Sequence, residues 1–347
     1  MTVLARAIEF DLPDSSMGTL PAERRGAGRD DVRLMVTQRS TGVIEHLRFP
    51  DIADQLHPGD VLVVNSSGTV PAAIDGWTME GTRVKAHFAS PIPGGLWSVE
   101  IRRPGHNGAT KPGPDRDPQT LRLAGGARLH LLTRNPTSPR TWVAEMEDEA
   151  DVLRYLFEHG TPIRYTSGPP LPLSDYQTVF ATEPGSAEMP SAARPFTTEM
   201  VTRLISTGVI VVPVILHAGL SSYEVDEGPG EERYRIPQQT AAVVNAMRSS
   251  GGRVIATGTT VVRALETVAD TTGEVHPGHG ITDTLITAAT GLRVVDGLIT
   301  GWHEPRSSHL TLLEAFLDRG SLDRVYREAL EAGYLWHEFG DLLLILP

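Results

Sequence analysis

The chain has 347 residues, enough to bury a full core and form two domains, and 40% hydrophobic with 21% charged residues is typical of globular proteins. The absence of cysteine excludes disulfides, thiolate metal sites and cysteine catalysis, and agrees with a cytoplasmic location. A formal net charge of −12 argues against non-specific nucleic-acid binding, although a local basic groove remains compatible with it. No apolar run reaches the roughly 18–20 residues of a membrane span, so we expect no membrane association.

The first 68 residues predict strands and one short helix. Segments 32–36 and 42–46 are typical of a β-hairpin, and segment 49–56 favours a short helix. Segment 60–65 is an apolar run that predicts a buried strand. It ends on the polar stretch 65–68, a loop at a strand end where functional residues often lie.

From about Thr69 to Glu147 the sequence changes character. Short β-rich runs alternate with Gly- and Pro-containing turns at a spacing of about ten residues. The runs are 83–89, 97–102, 121–123, 127–132 and 141–145. No helical period accompanies them, which favours a small all-β barrel or sandwich. The basic stretch 102–114 is a candidate contact for a polyanion, and a solvated loop is the alternative.

Residues 148–347 alternate between helical and strand patterns, which indicates an α/β fold. The predicted helices are 149–159, 197–207, 238–249, 309–317 and 322–332. The predicted strands are 209–217, 254–256, 281–288, 294–298 and 341–346. Pro213 interrupts the first of these strands, which indicates an edge position or a bulge because proline cannot donate to a ladder.

One stretch of this half, 253–266, predicts a buried strand, a turn at Gly258 and a helix that begins at Thr259 or Thr260. The free amides at the start of such a helix, together with its dipole, suit an anion or a carboxylate. Arg263 and Glu266 are three residues apart and share a helix face, so an intrahelical ion pair is the alternative to a functional role.

Three histidines are candidates for chemistry. His217 ends an apolar strand, a position at which a histidine is as often structural as catalytic. His303 and His309 resemble a metal-binding pair, but Pro305 interrupts any helix between them, which rules out a zinc pair on one helix face. We therefore expect no metal site here.

An ordered set of short motifs resembles the S-adenosylmethionine:tRNA ribosyltransferase-isomerase family of queuosine biosynthesis. The set comprises Arg33-Leu34, Pro58-Gly59-Asp60, Asn65 with Pro71, Asp175-Tyr176-Gln177-Thr178-Val179, Pro184-Gly185, Phe196, Leu216-His217, Gly258-Thr259-Thr260, Arg263 with Glu266, His303 with Pro305, Ala315-Phe316 and Gly340-Asp341. The match is collinear across nearly the whole chain. The family implies a larger α/β domain interrupted by a small β-barrel. We therefore expect an α/β catalytic domain from residues 1–68 plus 148–347 and an inserted small β-barrel domain at 69–147.

The resemblance also implies that S-adenosylmethionine is consumed as a substrate. Its ribosyl part is transferred to a 7-aminomethyl-7-deazaguanine base in tRNA and becomes an epoxycyclopentanediol, while adenine and methionine are released. Such a reaction needs a general base for the acidified C5′ protons, carboxylates or aromatic faces for the sulfonium, and a donor for the methionine carboxylate. The positions assigned to catalysis are His217, His303, Glu266 and Asp341. The positions assigned to binding S-adenosylmethionine are Gly258, Thr259, Thr260, Arg263, Tyr176, Gln177, Tyr223 and Trp302.

Several motif positions differ from the family pattern. Residues 65–68 read Asn-Ser-Ser-Gly where the family has Asn-Asn-Thr-Arg, and Ala73 replaces a second arginine. Segment 191–196 lacks a family histidine, and segment 226–232 replaces a histidine-rich loop. Because these losses spare the turn at Gly258, we expect an enzyme whose acceptor is a small molecule or is absent. The alternatives are a genuine tRNA enzyme that makes epoxyqueuosine and a non-catalytic relative that only binds an adenosyl ligand.

Overall fold

The computed structural model describes residues 8–114, 118–136, 138–147, 149–165, 167–220, 230–305 and 307–347. The strands of these residues are β1 (Arg33–Gln38), β2 (Ile44–Arg48), β3 (Val61–Asn65), β4 (Ser67–Thr69), β5 (Ala73–Thr78), β6 (Arg83–Ile92), β7 (Leu96–Pro104), β8 (Thr110–Lys111), β9 (Thr120–Leu123), β10 (Arg128–Asn135), β11 (Ser138–Glu147), β12 (Glu183–Ser186), β13 (Ile210–Leu216), β14 (Glu232–Ile236), β15 (Val254–Thr257), β16 (Gly278–Thr282), β17 (Gly297–Gly301) and β18 (Leu342–Leu346). The helices are α1 (Ile52–Gln55), α2 (Val152–His159), α3 (Thr198–Ser206), α4 (Gln238–Ser249), α5 (Thr259–Val268), α6 (Ser308–Leu313) and α7 (Arg319–Glu331). Among the described residues, no helix has the length and apolar character needed to cross a bilayer.

The first of two large sheets has the strand order β16-β14-β13-β3-β15-β17-β18-β1-β2. Strand β3 lies at its centre and runs parallel to both neighbours, β13 and β15. Every residue of β3 is buried, with Val61 and Val63 facing one core and Leu62 and Val64 facing the other. An uninterrupted apolar run is what a parallel strand covered on both faces requires. The prediction of a buried strand at 60–65 is therefore confirmed.

Helices cover both faces of this sheet. Val244 of α4, Leu265 of α5 and Val325 of α7 belong to the core on one face. Ile52 of α1 and Leu204 of α3 belong to the core on the opposite face. The sheet is thus the middle of three layers, and the predicted mixed α/β fold is confirmed.

Pro213 lies inside the sheet, so the prediction of an edge strand was wrong for β13 as a whole. The strand pairs with β3 along its length, with Pro213 opposite Val64. On the other side, β14 pairs only with Ile215 and Leu216. Proline is tolerated because, within the part of the chain that the structure describes, that side of the strand has no ladder partner at position 213.

The second large sheet has the order β11-β10-β9-β5-β6-β7-β8, and β11 also pairs with β7. All five predicted β-runs of segment 69–147 overlap its strands, while β5 and β8 were not predicted. Its apolar side chains form a core of their own, which includes Ile74, Val99 and Leu129. Helix α2 contributes Tyr155 and Leu156 to the same core.

Two predicted strands, 281–288 and 294–298, have different bounds in the structure. The paired residues are those of β16 and β17, while 283–288 and 294–296 form no strand. Ile286, Val294 and Val295 are nevertheless buried in the main core. Their apolar character reflects packing of a loop against the sheet, which a sequence pattern cannot separate from strand pairing.

Asp60 and Arg253 connect the starts of β3 and β15. The buried Asp60 carboxylate accepts hydrogen bonds from the His57 amide at 2.7 Å and from Arg253 Nε at 3.0 Å and Nη2 at 2.5 Å. Burial opposes ionisation, but these donors outweigh it and lower the pKa of Asp60. The pair therefore stabilises the centre of the sheet in its ionised form.

We predict that Asp60→Ala lowers the free energy of unfolding by about 3 kcal/mol, because Arg253 and the His57 amide lose a buried partner. Asp54→Ala removes an exposed pair with Arg203 and should cost less than about 1 kcal/mol. Since the folded-state pKa of Asp60 is depressed, its contribution is present above its unfolded pKa of about 4 and is lost as the pH falls through the folded value. Urea unfolding at pH 7 and pH 3 measures both effects. Equal losses for the two variants at pH 7 would contradict the prediction.

Candidate functional site

A cavity of about 170 Å³ lies where β15 and β17 end and α5 begins. Strand ends of open α/β sheets commonly form such crevices. Its lining includes Glu188, Ser191, Gly219, Glu232, Gly258, Thr259, Thr260, Arg263, Thr300, Trp302, His303, Glu304, Ser307, His309, His337 and Glu338. Six of the predicted site residues are among them: Gly258, Thr259, Thr260, Arg263, Trp302 and His303.

The start of α5 forms one wall of this cavity. Gly258 is its N-cap and has a φ of 93°, a conformation that glycine adopts without strain. The predicted helix start at Thr259 is confirmed, but no threonine side chain caps it. The Val261 amide donates to the Gly258 carbonyl at 3.1 Å, whereas the amides of Thr259 and Thr260 precede the first bond of the helix and lie at the positive end of its dipole. This wall is therefore suited to a carboxylate.

Arg263 extends the same wall and is held by Glu232 of β14. The two side chains form an ion pair, and both residues are more than nine-tenths buried. Glu232 also accepts a hydrogen bond from the Gly219 amide at 2.8 Å. Arg263 Nη1 has no hydrogen-bond partner among the described residues. The guanidinium thus has a fixed direction and a donor left for a ligand.

His303 and His309 also line the cavity, and their rings are stacked at 4.4 Å between centroids and 5° between planes. Thr300 Oγ1 lies 2.9 Å from His303 Nε2. Burial lowers the pKa of His303 well below its usual range, and His309 lowers it further. Burial and then Arg263 lower the pKa of His309 to about 4. Both imidazoles are therefore neutral at pH 7, and each has one ring nitrogen that can accept a hydrogen bond.

His217 lies outside the cavity lining, although the next residues, Ala218 and Gly219, belong to it. Its Nδ1 is 2.8 Å from Ser67 Oγ, and its ring packs on Gly185, where any Cβ would clash. Burial and nearby Arg233 lower its pKa. These contacts favour a structural role, in which the histidine holds the end of β13 against neighbouring loops.

Glu266 also lies outside the lining, and its predicted ion pair with Arg263 does not form. Its carboxylate accepts hydrogen bonds from the amides of Arg293, Val294 and Val295 at 2.9, 3.0 and 3.1 Å. Those three bonds use both oxygens of a fully buried group. They favour a structural role, in which Glu266 fixes the loop that leads into β17.

Asp341 is likewise engaged elsewhere. It accepts from the Arg33 amide at 2.8 Å, from Arg33 Nη2 at 2.9 Å and from the Leu335 amide at 2.8 Å. These bonds connect the starts of β1 and β18 with the loop that follows α7. No part of Asp341 belongs to the cavity lining formed by the described residues.

The three predicted aromatic contacts and Gln177 have different surroundings. Trp302 lines the cavity and packs on Tyr326 at 5.1 Å between centroids. Tyr176 instead packs on Phe339 in a separate small core. Gln177 hydrogen-bonds both the amide and the carbonyl of Thr69, at 3.1 and 2.8 Å. Tyr223 lies outside the described residues.

Besides Glu232, which pairs with Arg263, three further glutamates of the cavity lining were not predicted from the sequence: Glu188, Glu304 and Glu338. They come from three segments far apart in sequence, so no spacing pattern connects them. A weak signal was available, since Glu304 and Glu338 each follow a histidine that also lines the cavity.

Among the described residues, one group has the spacing of metal ligands, namely Asp270, Glu274 and His276. It lies in the turn after α5 and not in the cavity lining. The Asp270 carboxylate already accepts hydrogen bonds from the amides of Thr272 and Glu274. This turn explains the grouping without an ion.

Comparison with known proteins gives matches over almost the full chain. The family model described as queuosine biosynthesis protein matches residues 5–345. An S-adenosylmethionine:tRNA ribosyltransferase-isomerase of Moorella thermoacetica is 34% identical, covering 97% of this chain and 98% of that protein. The enzyme of the same name from Symbiobacterium thermophilum is 35% identical with the same coverage. The crystal structure of an S-adenosylmethionine tRNA ribosyltransferase from Thermotoga maritima matches with a TM-score of 0.54 and 29% identity, covering 97% of this chain and 99% of that one.

We predict that Glu266→Ala lowers the free energy of unfolding by about 3 kcal/mol or more, because three amides lose a buried acceptor. Glu331→Ala, an exposed change at the end of α7, should change it by less than about 0.5 kcal/mol. Urea unfolding gives the stabilities, and amide hydrogen exchange at residues 293–295 should be faster in the first variant. Unchanged stability in Glu266→Ala would contradict the structural role.

Proposed function

The chain belongs to the queuosine biosynthesis protein family of S-adenosylmethionine:tRNA ribosyltransferase-isomerases, and we propose that it consumes S-adenosylmethionine in the cavity at the start of α5 and modifies tRNA. Members of this family are enzymes that combine ribosyl transfer with isomerisation. The ribose of S-adenosylmethionine goes to the acceptor, while adenine and methionine leave.

One observation carries the assignment of the cavity to S-adenosylmethionine. The start of α5 at Thr259 and Thr260 lines the same cavity as Arg263, whose Nη1 is a buried donor without a partner among the described residues. A carboxylate placed there would accept charge-assisted hydrogen bonds and lie at the positive end of the helix dipole. The methionine carboxylate of S-adenosylmethionine supplies such a group.

His303 is our candidate for the acid–base step. A sulfonium acidifies the neighbouring C5′ protons, so a nearby neutral imidazole can remove one of them. The stacked His309 and the Thr300 hydroxyl hold the His303 ring in place. His217, Glu266 and Asp341 have no place in this proposal because none of them lines the cavity.

The acceptor is best assigned to tRNA. The sequence analysis favoured a small molecule, but the relatives that match at full length have tRNA in their names. The comparisons lend no support to a small acceptor. The charge distribution favours tRNA as well, since residues 69–147 carry ten Lys and Arg against seven Asp and Glu, while the other residues carry 21 against 36.

Tyr165 connects the basic β7–β8 hairpin with the cavity lining. Arg103 and Lys111 are paired across the hairpin and exposed. Next to them, the Arg102 guanidinium lies 5.1 Å from the ring centroid of Tyr165, whose hydroxyl donates to Glu188 of the cavity lining at 2.7 Å. Phosphates of an RNA whose target base enters the cavity would therefore meet these cations.

We also propose that residues 69–147 are an inserted β-barrel domain. The pairing of β11 with both β10 and β7 joins six strands, β5, β6, β7, β11, β10 and β9, into a ring. The ring encloses the core that contains Ile74, Val99 and Leu129. Because Tyr155 and Leu156 belong to the same core, α2 attaches to this unit.

The proposed function is tested by incubating the protein with S-adenosylmethionine and tRNA that carries the deazaguanine precursor base. We expect release of adenine and methionine together with modified tRNA. Binding of S-adenosylmethionine without release would instead support the non-catalytic alternative. Release without tRNA modification would contradict the assigned acceptor.

We predict that Arg263→Lys weakens S-adenosylmethionine binding by about 1.5–3 kcal/mol, that is about 10- to 100-fold. Lysine retains a charge opposite Glu232 but loses the second donor of the guanidinium fork. Arg235→Lys, at an exposed pair with Glu183, is the matched control and should bind normally. Calorimetric titration measures both, and equal affinities would show that Arg263 makes no contact with the ligand.

We further predict that Arg103→Ala combined with Lys111→Ala weakens tRNA binding and reduces the salt dependence. If both cations contact phosphates, the slope of log affinity against log salt should fall by about 1.4, or about 0.7 per contact with single-stranded RNA. Arg327→Ala on α7 is the control, because its exposed side chain pairs with Asp323. Filter binding between 50 and 200 mM salt, roughly the range in which such slopes are measured, gives both slopes. An unchanged slope in the double variant would place the RNA elsewhere.

A further inference from the structure

The cavity has a second pole opposite in character to the wall formed by α5 and Arg263. Glu188, Glu304 and Glu338 all line it. They are contributed by the loop after β12, the loop after β17 and the loop before β18. Three acidic side chains from separate segments therefore meet at one small cavity.

Among the described residues, no lysine or arginine forms an ion pair with Glu304 or Glu338, two of these glutamates. Burial raises the pKa of Glu304 to about 7, and repulsion from Glu188 adds to the effect. Burial raises the pKa of Glu338 to about 8, with further repulsion from Glu188 and Glu304. His337 Nε2 lies 3.9 Å from Glu304, but burial lowers the pKa of His337 to about 4 and keeps it neutral.

Polar groups in the same lining provide independent signs of a missing ligand. Ser307 is 8% exposed and its Oγ has no hydrogen-bond partner among the described residues. Trp302 is 3% exposed, and its indole N–H also has none. Both residues line the cavity with Glu304. Since buried polar groups are nearly always paired in native proteins, a molecule that enters the cavity is the natural partner.

The backbone before Glu338 is held in a rare conformation. His337 has a φ of 78°, which side-chain-bearing residues seldom adopt, and its Nδ1 accepts a hydrogen bond from the Glu338 amide at 2.8 Å. The Trp336 indole, just before it, donates to the His303 carbonyl at 3.1 Å. These contacts connect the two loops that carry Glu304 and Glu338 and fix their separation.

We propose that Glu188, Glu304 and Glu338 form a subsite for an organic cation of the substrates, either a sulfonium or a primary ammonium. The identification of that cation with a group of S-adenosylmethionine or of the acceptor rests on the proposed function. A positive group placed among the three carboxyl groups favours their ionised forms, which burial and mutual repulsion disfavour. Apolar and aromatic residues of the lining, Met189, Ile286, Leu312 and Trp302, suit an organic cation better than a hydrated metal ion.

The two poles together determine how a zwitterionic ligand lies in the cavity. Its carboxylate occupies the wall formed by α5 and Arg263, and a cationic group of the same ligand or of the acceptor occupies the glutamate subsite. An analogue that keeps the carboxylate but lacks the cationic group loses only the second interaction, whereas methylthioadenosine, which has no amino-acid group, loses both. Specificity for the charged ligand therefore depends on the glutamates.

The test uses the full chain with Glu304→Gln and Glu338→Gln, singly and together. Glu314→Gln is the matched control, because Glu314 also has a pKa raised by burial but does not line the cavity. The probes are S-adenosylmethionine, S-adenosylhomocysteine, which lacks the sulfonium, and methylthioadenosine, which lacks both cationic groups. A fourth probe is tRNA carrying the aminomethyl base, compared with tRNA carrying guanine.

We expect the cavity variants to bind at least one cationic probe 10-fold or more weakly and the matching neutral probe normally. Loss for S-adenosylmethionine alone identifies the sulfonium as the occupant. Loss for both charged nucleosides identifies the methionine ammonium, and loss for the aminomethyl tRNA alone identifies the acceptor amine. Thermal midpoints should stay equal or rise, because glutamine removes repulsion between carboxylates.

The proposal is overturned if every probe, including methylthioadenosine and guanine tRNA, loses affinity equally, since that result indicates a structural role. It is also overturned if no probe is affected, or if Glu314→Gln has the same effect as the cavity variants. When the wild type releases adenine from S-adenosylmethionine, these results remove the subsite and leave the proposed function standing. If the wild type binds none of the probes, both proposals fail.

Discussion

The side-chain amide of Asn65 connects three parts of the molecule that are far apart in sequence. Its Nδ2 donates to the Leu216 carbonyl at 2.8 Å, and its Oδ1 accepts from the amides of Leu216 and Ser67 at 3.1 and 3.0 Å. Thr260 Oγ1, in the first turn of α5, lies 3.4 Å from the same Nδ2. The residue is fully buried, so these bonds are made without competition from water. These bonds fix the end of β3, the end of β13 and the start of α5 relative to one another. The geometry of the cavity depends on this arrangement.

Because these elements are fixed relative to one another, one small cavity can have a positive wall and a side lined by glutamates. The positive wall comes from a helix start and from Arg263, which Glu232 holds in place. The negative side comes from the loops that carry Glu188, Glu304 and Glu338. Burial, together with repulsion from the other two glutamates, raises the pKa of Glu338. In a low-dielectric cavity such groups interact strongly with each other and with any ligand.

The parts of the fold and site that were predicted from sequence are those determined by residues close together in the chain. Segment 253–266 was recognisable because strand, positive-φ glycine and helix follow one another directly. The assignments of Glu266 and Asp341 rested on position in a motif, and a carboxylate that binds backbone amides has the same sequence signature as one that binds a ligand. Glu188, Glu304 and Glu338 meet only through the packing of three loops, so no local pattern could reveal them. The bounds of β16 and β17 were missed for a similar reason, because apolar residues beside them pack in the core without pairing.

The interpretation of net charge illustrates the same distinction between local and global causes. An overall value of −12 argued against non-specific nucleic-acid binding, and the excess of acidic residues lies entirely outside 69–147. Screening limits electrostatic attraction to about 8 Å at physiological salt, so a phosphate responds to the cations beside it and not to the total. Both lysines of the chain, Lys85 and Lys111, lie in the inserted segment. The motif arginines missing near Asn65 and at Ala73 therefore do not by themselves exclude an RNA acceptor, because a neighbouring hairpin with Arg103 and Lys111 supplies cations from a different part of the fold.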